Sequence, residues 1–211
     1  MEKFRNFIYM VGNAITLNLL FIAACLPVVT IGPAWCGLYS AIRYEIRGDK
    51  WFAGFKAGFC TRFVRSMIAG VICTALCLYF GNNASAGVAA LIDGAGGWIS
   101  TGITFVFLLA TMMIFAALMP LNVYFDTDMD TWIEYAWMLI AKAPLQLIGT
   151  SILMWAVIAL AIYDFMLFVF LSTIIVAAYF TLSGLVITVM LKKSLIDILQ
   201  IERARHPELE R

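Results

Sequence analysis

Charge, histidine and proline are all scarce in this chain, and each scarcity excludes something. Lys, Arg, Asp and Glu make up 13% of the 211 residues, against 64% hydrophobic. A soluble domain carries about 25% charged residues, so a water-facing globule is excluded. A single histidine, His206, and five cysteines without CxxC spacing speak against a zinc site or a disulfide framework. The net charge of +1 provides no basic field for nucleic acid. No Walker loop, nucleophile elbow, HExxH or GxGxxG is present, so neither a catalytic constellation nor a cofactor is expected.

What is abundant is uninterrupted apolar sequence. Mean hydropathy is +0.95, and residues 145–191 carry a single charge, Asp164. A spanning helix needs roughly 20 apolar residues. In lipid, every backbone polar group must be satisfied internally, which leaves helices or closed barrels. These runs are continuous rather than alternating. The expectation is therefore an all-α polytopic membrane helix bundle forming one domain, with about five transmembrane helices: 7–29, 63–82, 98–124, 145–163 and 165–191. The first run is longer than a signal-peptide core of about 7–15 residues and no small-residue cleavage site follows it, so it reads as a retained anchor.

The basic residues sort by loop. Arg43, Arg47, Lys50, Lys56, Arg62 and Arg65 lie between spans 1 and 2, Lys142 between spans 3 and 4, and Lys192, Lys193, Arg203, Arg205 and Arg211 in the tail. By the positive-inside rule, this face is cytoplasmic, with the N-terminus outside and the C-terminus inside. Lys3 and Arg5 dissent, unless the first helix dips in and returns.

Short cytoplasmic amphipathic helices are expected along the inner surface. Residues 34–47 are too short to span; Gly48 suits the position after a helix end, and Asp49 an N-cap. Trp51, Phe55, Phe59 and Phe63 then recur every four residues, with Phe52 beside them, as on a helix at headgroup level. Gly54 and Gly58 have a small-xxx-small spacing that lets another helix approach. After span 3, Thr131 and Glu134 form a capping-box signature, opening a second interfacial helix through Trp132 and Trp137 to Pro144.

Two polar sets are candidates for chemistry. Asp126, Asp128 and Asp130 resemble the start of a calcium loop or a DxD nucleotide site, but Thr131 stands where the calcium loop needs glycine and Trp137 where it needs glutamate. They equally suit the positive end of a helix dipole. Asn13, Asn18 and Asn122 fall inside spans 1 and 3 and could line a polar solute path or bond between helices. No Lys, Arg, Asp or Glu lies deep in a span, which argues against a coupled pump.

Thr30-Ile31-Gly32-Pro33-Ala34, then Leu38-Tyr39, Arg47-Gly48, and Phe55-Lys56 with Phe59 form an ordered series. It resembles the YesL-like family of small bacterial integral membrane proteins, a domain of unknown function. Here Trp51 takes the place of the first aromatic of the family's later segment, and Gly58 stands where asparagine is common. The resemblance implies multi-pass residence in the bacterial cytoplasmic membrane and an accessory role beside carbohydrate ABC importers. It brings no catalytic residues.

The resulting expectation is a non-enzymatic accessory subunit without cofactors, in contact with membrane lipids and with the permease subunits of a sugar importer. Its docking patch would be Trp51, Phe52, Phe55, Lys56 and Phe59 with the 30–34 turn, Leu38 and Tyr39. A small-solute channel or carrier using the three asparagines, and a membrane transferase using the 126–130 aspartates, are the alternatives. Oligomeric state is not legible.

Overall fold

A computed structural model describes residues 2–92, 97–125, 128–163 and 179–205. Among these, helices account for nearly everything: α1 (Glu2–Cys25), a 3-10 turn (Val28–Thr30), α2 (Ile31–Arg47), α3 (Trp51–Cys60), α4 (Phe63–Ile92), α5 (Trp98–Tyr124), α6 (Met129–Lys142), α7 (Pro144–Tyr163) and α8 (Phe180–Arg205). The all-α class follows directly from the continuous apolar runs.

Two of these helices, α4 and α5, are each long and apolar enough to cross a membrane, with mean hydropathy 1.9 and 2.3. They pair antiparallel. Phe80 stacks on Phe107 at 5.5 Å, and Gly87 lies against Thr101. The second expected span continues ten residues beyond its predicted end, to Ile92, because Asn82, Asn83 and Ser85 are good enough helix residues to keep the backbone ladder intact. α6 meets the first half of α7 at a bend of 102°, so that pair is either a third, broken span or a re-entrant loop. The fifth expected span, 165–191, is described only from Tyr179 onward; its earlier part and Asp164 lie outside the described residues.

The largest departure concerns α2. Residues 34–47 are helical as expected, but this is no surface helix. Gly32 through Ile42 are buried on every side, packed by α1, α3, α4, α5 and α8. Only from Arg43 onward does α2 emerge. A short amphipathic helix along the inner surface was expected; in the fold, its small residues let neighbours close in around the whole circumference.

α1 and α2 form an antiparallel hairpin. Phe21 meets Trp35 edge-on at 5.0 Å, and further from the turn Asn13 Nδ2 donates to Glu45 Oε1 at 3.1 Å. The chain thus returns along α1 and does not stay on the side where α1 ended. Residues before Asn13 lie toward the same end as Arg47–Lys50, which removes the need for Lys3 and Arg5 to sit opposite the other cations.

Helix ends match the expectations unevenly. Gly48 closes α2 with φ 82°, donating to Glu45 O, while Asp49 N–H reaches Tyr44 O at 3.0 Å. Asp49 is not an N-cap: α3 starts one residue later, with Lys50 at that position. Likewise α6 starts at Met129 with Asp128 as N-cap, so Thr131 and Glu134 lie inside the helix and form no capping box. Asp128 supplies a suitable turn residue three positions earlier.

Candidate functional site

The motif residues converge on the centre of the bundle. Thr30 Oγ1 donates to Ala24 O at 2.5 Å and Pro27 O at 2.7 Å, closing the turn over the end of α1, where carbonyls lack helical partners. Gly32 lies flush against α4: a Cβ there would strike the Ser66 carbonyl and stand 3.1 Å from Gly70 Cα. Pro33 sits in the first turn of α2, at its third residue, where a missing N–H costs no helical bond. Ala34, Leu38 and Tyr39 are completely enclosed.

α3 packs antiparallel on α2 through glycines, as the Gly54/Gly58 spacing anticipated. Gly54 faces Tyr44, Gly58 faces Cys36 and Ser40, and Phe55 lies on Gly37. Phe55 is therefore buried and stacks with Phe59 at 6.0 Å. This corrects the expected docking patch. Gly32, Pro33, Ala34, Leu38, Tyr39 and Phe55 face the protein interior and cannot meet a partner in this state. Thr30, Ile31, Trp51 and Phe59 are half-buried; Phe52 and Lys56 are exposed. Aromatic periodicity of four marked one helix face correctly, but that face is covered by α2.

The asparagines each engage another helix. Asn18 Oδ1 accepts from Thr181 N at 2.7 Å and Thr181 Oγ1 at 2.6 Å, capping the start of α8 from α1. Asn122 Nδ2 donates to Cys36 Sγ at 3.5 Å, joining α5 to α2. Asn13 bonds Glu45. Of the two readings, bonding between helices describes all three contacts.

Around Cys36 lies a polar cluster that the sequence did not reveal. The Cys36 thiol donates to Met119 O at 3.7 Å, and burial pushes its pKa up to about 11. Beyond it, arginines and a tryptophan gather the carbonyls at the end of α5. Trp132 Nε1 donates to Leu118 O, Arg43 to Val123 O and Arg62 to Phe125 O at 2.7 Å. The Arg65 guanidinium lies 3.9 Å over the Trp132 ring, and that of Arg43 4.9 Å over Tyr124. Cations at a helix C-terminus complement its dipole. Arg62 holds φ 51° to make the α3–α4 corner. No linear signal announces this cluster, because its parts come from α2, α4, α5 and α6.

Asp128 and Asp130 sit at the N-cap and first turn of α6, while Asp126 lies outside the described residues. Among the described residues no group of three or more His, Cys, Asp or Glu could hold a metal ion.

At the other end of the α2–α3 hairpin, a cleft of about 480 Å³ opens between Asn13 of α1 and residues Glu45 to Phe52. It adjoins a narrow apolar crevice lined by Ala14, Leu17, Ile42 and Leu185.

These features define an all-α bundle with helices built to cross a membrane, organised around a buried central helix. Residues 14–83 match the family model described as "Protein of unknown function, DUF624", which bears out the resemblance to the YesL-like family over α1 to α4. No curated protein and no solved structure matches the chain.

Proposed function

We propose that this is a multi-pass protein of the bacterial cytoplasmic membrane that acts by binding, as an accessory subunit of a carbohydrate importer of the ABC type. The observation that carries the reading is the open edge of α3. Phe52, 57% exposed, and Lys56 stand beside the partly covered rings of Trp51 and Phe59, on a hairpin clamped by backbone-close packing. Aromatic side chains held on a rigid element are usual anchors of protein interfaces, with charged residues such as Lys56 at the rim. The family resemblance supplies the kind of partner.

The α1–α2 hairpin supports an orientation with both termini cytoplasmic. α4 leaves the basic end and α5 returns to it. α7 leaves again, with Gly149 near Met190 and Tyr179 bonded to Leu153 O, so α8 runs antiparallel to it and brings Lys192 and Lys193 back. On this reading Arg43, Arg47, Lys50, Lys56, Arg62, Arg65 and Lys142 share one side, as the positive-inside rule asks. We therefore read the first two helices as a hairpin that dips and returns, rather than as the N-outside span first expected.

The test is affinity purification of the tagged protein from native membranes in mild detergent. Permease subunits recovered with it, and lost on Phe52→Ala with Lys56→Glu, are the expected result. Recovery of the intact protein alone overturns the reading.

A further inference from the structure

The cleft and the crevice described above share Asn13, Glu45 and Trp51, so an open cleft carrying charged residues adjoins an apolar crevice. The cleft wall carries two carboxylates, Glu45 and Asp49, together with Lys50, Trp51 and Phe52. The crevice wall is aliphatic: Ala14 and Leu17 of α1, Ile42 and Ile46 of α2, and Leu185 of α8. Its open volume, about 90 Å³, is roughly three times the share of one water molecule in the liquid and suits the first few methylenes of a chain. Beyond it, Ile46, Leu185 and Val189 expose 60%, 41% and 62% of their surface.

We propose that this paired site holds one phospholipid with a zwitterionic aminoethyl-phosphate headgroup, the ammonium toward Glu45 and Asp49, the phosphate toward Lys50, and an acyl chain started in the crevice. Charge complementarity selects the occupant. A purely anionic headgroup could place its phosphate at Lys50 but would bring no positive group to Glu45 and Asp49. A headgroup with both charges meets an opposite charge on each side. The placement also fits, since the cleft lies at the basic end of the hairpin, where headgroups would lie. The rings of Trp51 and Phe52 belong at such an interface. This inference rests on the membrane reading above.

The experiment uses the full chain, delipidated in detergent and titrated with phosphatidylethanolamine or phosphatidylglycerol of identical acyl chains, bound lipid being counted by native mass spectrometry. The wild type should prefer phosphatidylethanolamine by about tenfold. The double variant Glu45→Gln, Asp49→Asn keeps the size of both side chains and should lose that preference. Lys50→Glu, at an exposed position, should weaken phosphatidylethanolamine binding by a similar factor. Equal binding of both lipids by the wild type, or a preference unchanged in the double variant, overturns the site. Alkaline carbonate washing of native membranes separates this failure from that of the membrane reading. Protein retained in the pellet but without a headgroup preference sinks the lipid site alone, whereas protein released by the wash sinks both.

Discussion

Gly70→Ala puts the central packing claim at risk. α2 and α4 touch backbone to backbone at Gly32 and Gly70, and a Cβ on Gly70 would stand 2.6 Å from Gly32 N and 2.7 Å from Gly32 Cα. Ordinary contact begins near 3.4 Å, so the helices must part by about 0.8 Å. Neither neighbour can rotate away, because both are main-chain atoms. A gap of 0.5–1 Å forfeits a quarter to a half of each dispersion contact, worth about 0.1–0.2 kcal/mol per atom pair. Over roughly fifty pairs along this crossing the loss is about 1–5 kcal/mol, overlapping the ~1–3 kcal/mol typical of overpacked cores. Alanine in a helix returns about 0.5–1 kcal/mol. A net destabilisation near 2 kcal/mol is expected, or a fall in Tm of roughly 4–8 °C for a chain of this size. The control is Gly81→Ala in the same helix, where a Cβ meets nothing within 4 Å; it should be neutral or slightly stabilising. A thiol-reactive dye reports melting through the buried Cys36, Cys73 and Cys77. If Gly70→Ala melts with Gly81→Ala, the close α2–α4 crossing is refuted.

Other outcomes follow from named contacts. Asn18→Leu removes the acceptor of two Thr181 donors and should cost about 1–2 kcal/mol, seen as a lower Tm and as faster hydrogen exchange at the start of α8. In the folded protein at pH 8, maleimide should modify the exposed Cys60 well before Cys36. Burial holds the Cys36 thiol protonated well above the usual thiol range, and raising the pH increases its reactive form. Comparable labelling rates would mean that α2 is not enclosed. A green fluorescent protein fused to the N-terminus should fluoresce, as a cytoplasmic N-terminus requires; a dark fusion with an active alkaline phosphatase counterpart would restore the outside assignment.

Legibility was uneven for physical reasons. Trp98–Tyr124 was bounded correctly because a lipid-facing helix must be apolar along its whole length, a demand that local composition records. The Gly48 terminus was legible because a left-handed backbone position selects glycine. The caps at Asp49 and Thr131 were misplaced by one to three residues, since several turn-forming residues stood in a row and tertiary contacts chose among them. The docking patch was legible only in part. Phe55 and Phe52 are the same residue type three positions apart, yet one lies on Gly37 and the other faces outward. Gly54 and Gly58 marked the face that admits another helix, but nothing in residues 51–60 alone says that α2 is the helix that covers it.

The sequence by itself determined the class of this protein: helical, with helices long and apolar enough to cross a membrane. Those properties follow from transfer free energies and charge placement, which act residue by residue and need no partner. Only the tertiary structure decided that α2 is the centre of the bundle, that α1 and α2 return the chain to the end it came from, and that Asn13, Glu45, Asp49 and Lys50 share one cleft. These depend on which helices touch, and in a chain whose helices are apolar on most sides, hydropathy cannot rank one pairing above another. The glycines at 32, 37, 54, 58 and 70 rank them, by permitting close backbone approach at some crossings and not at others.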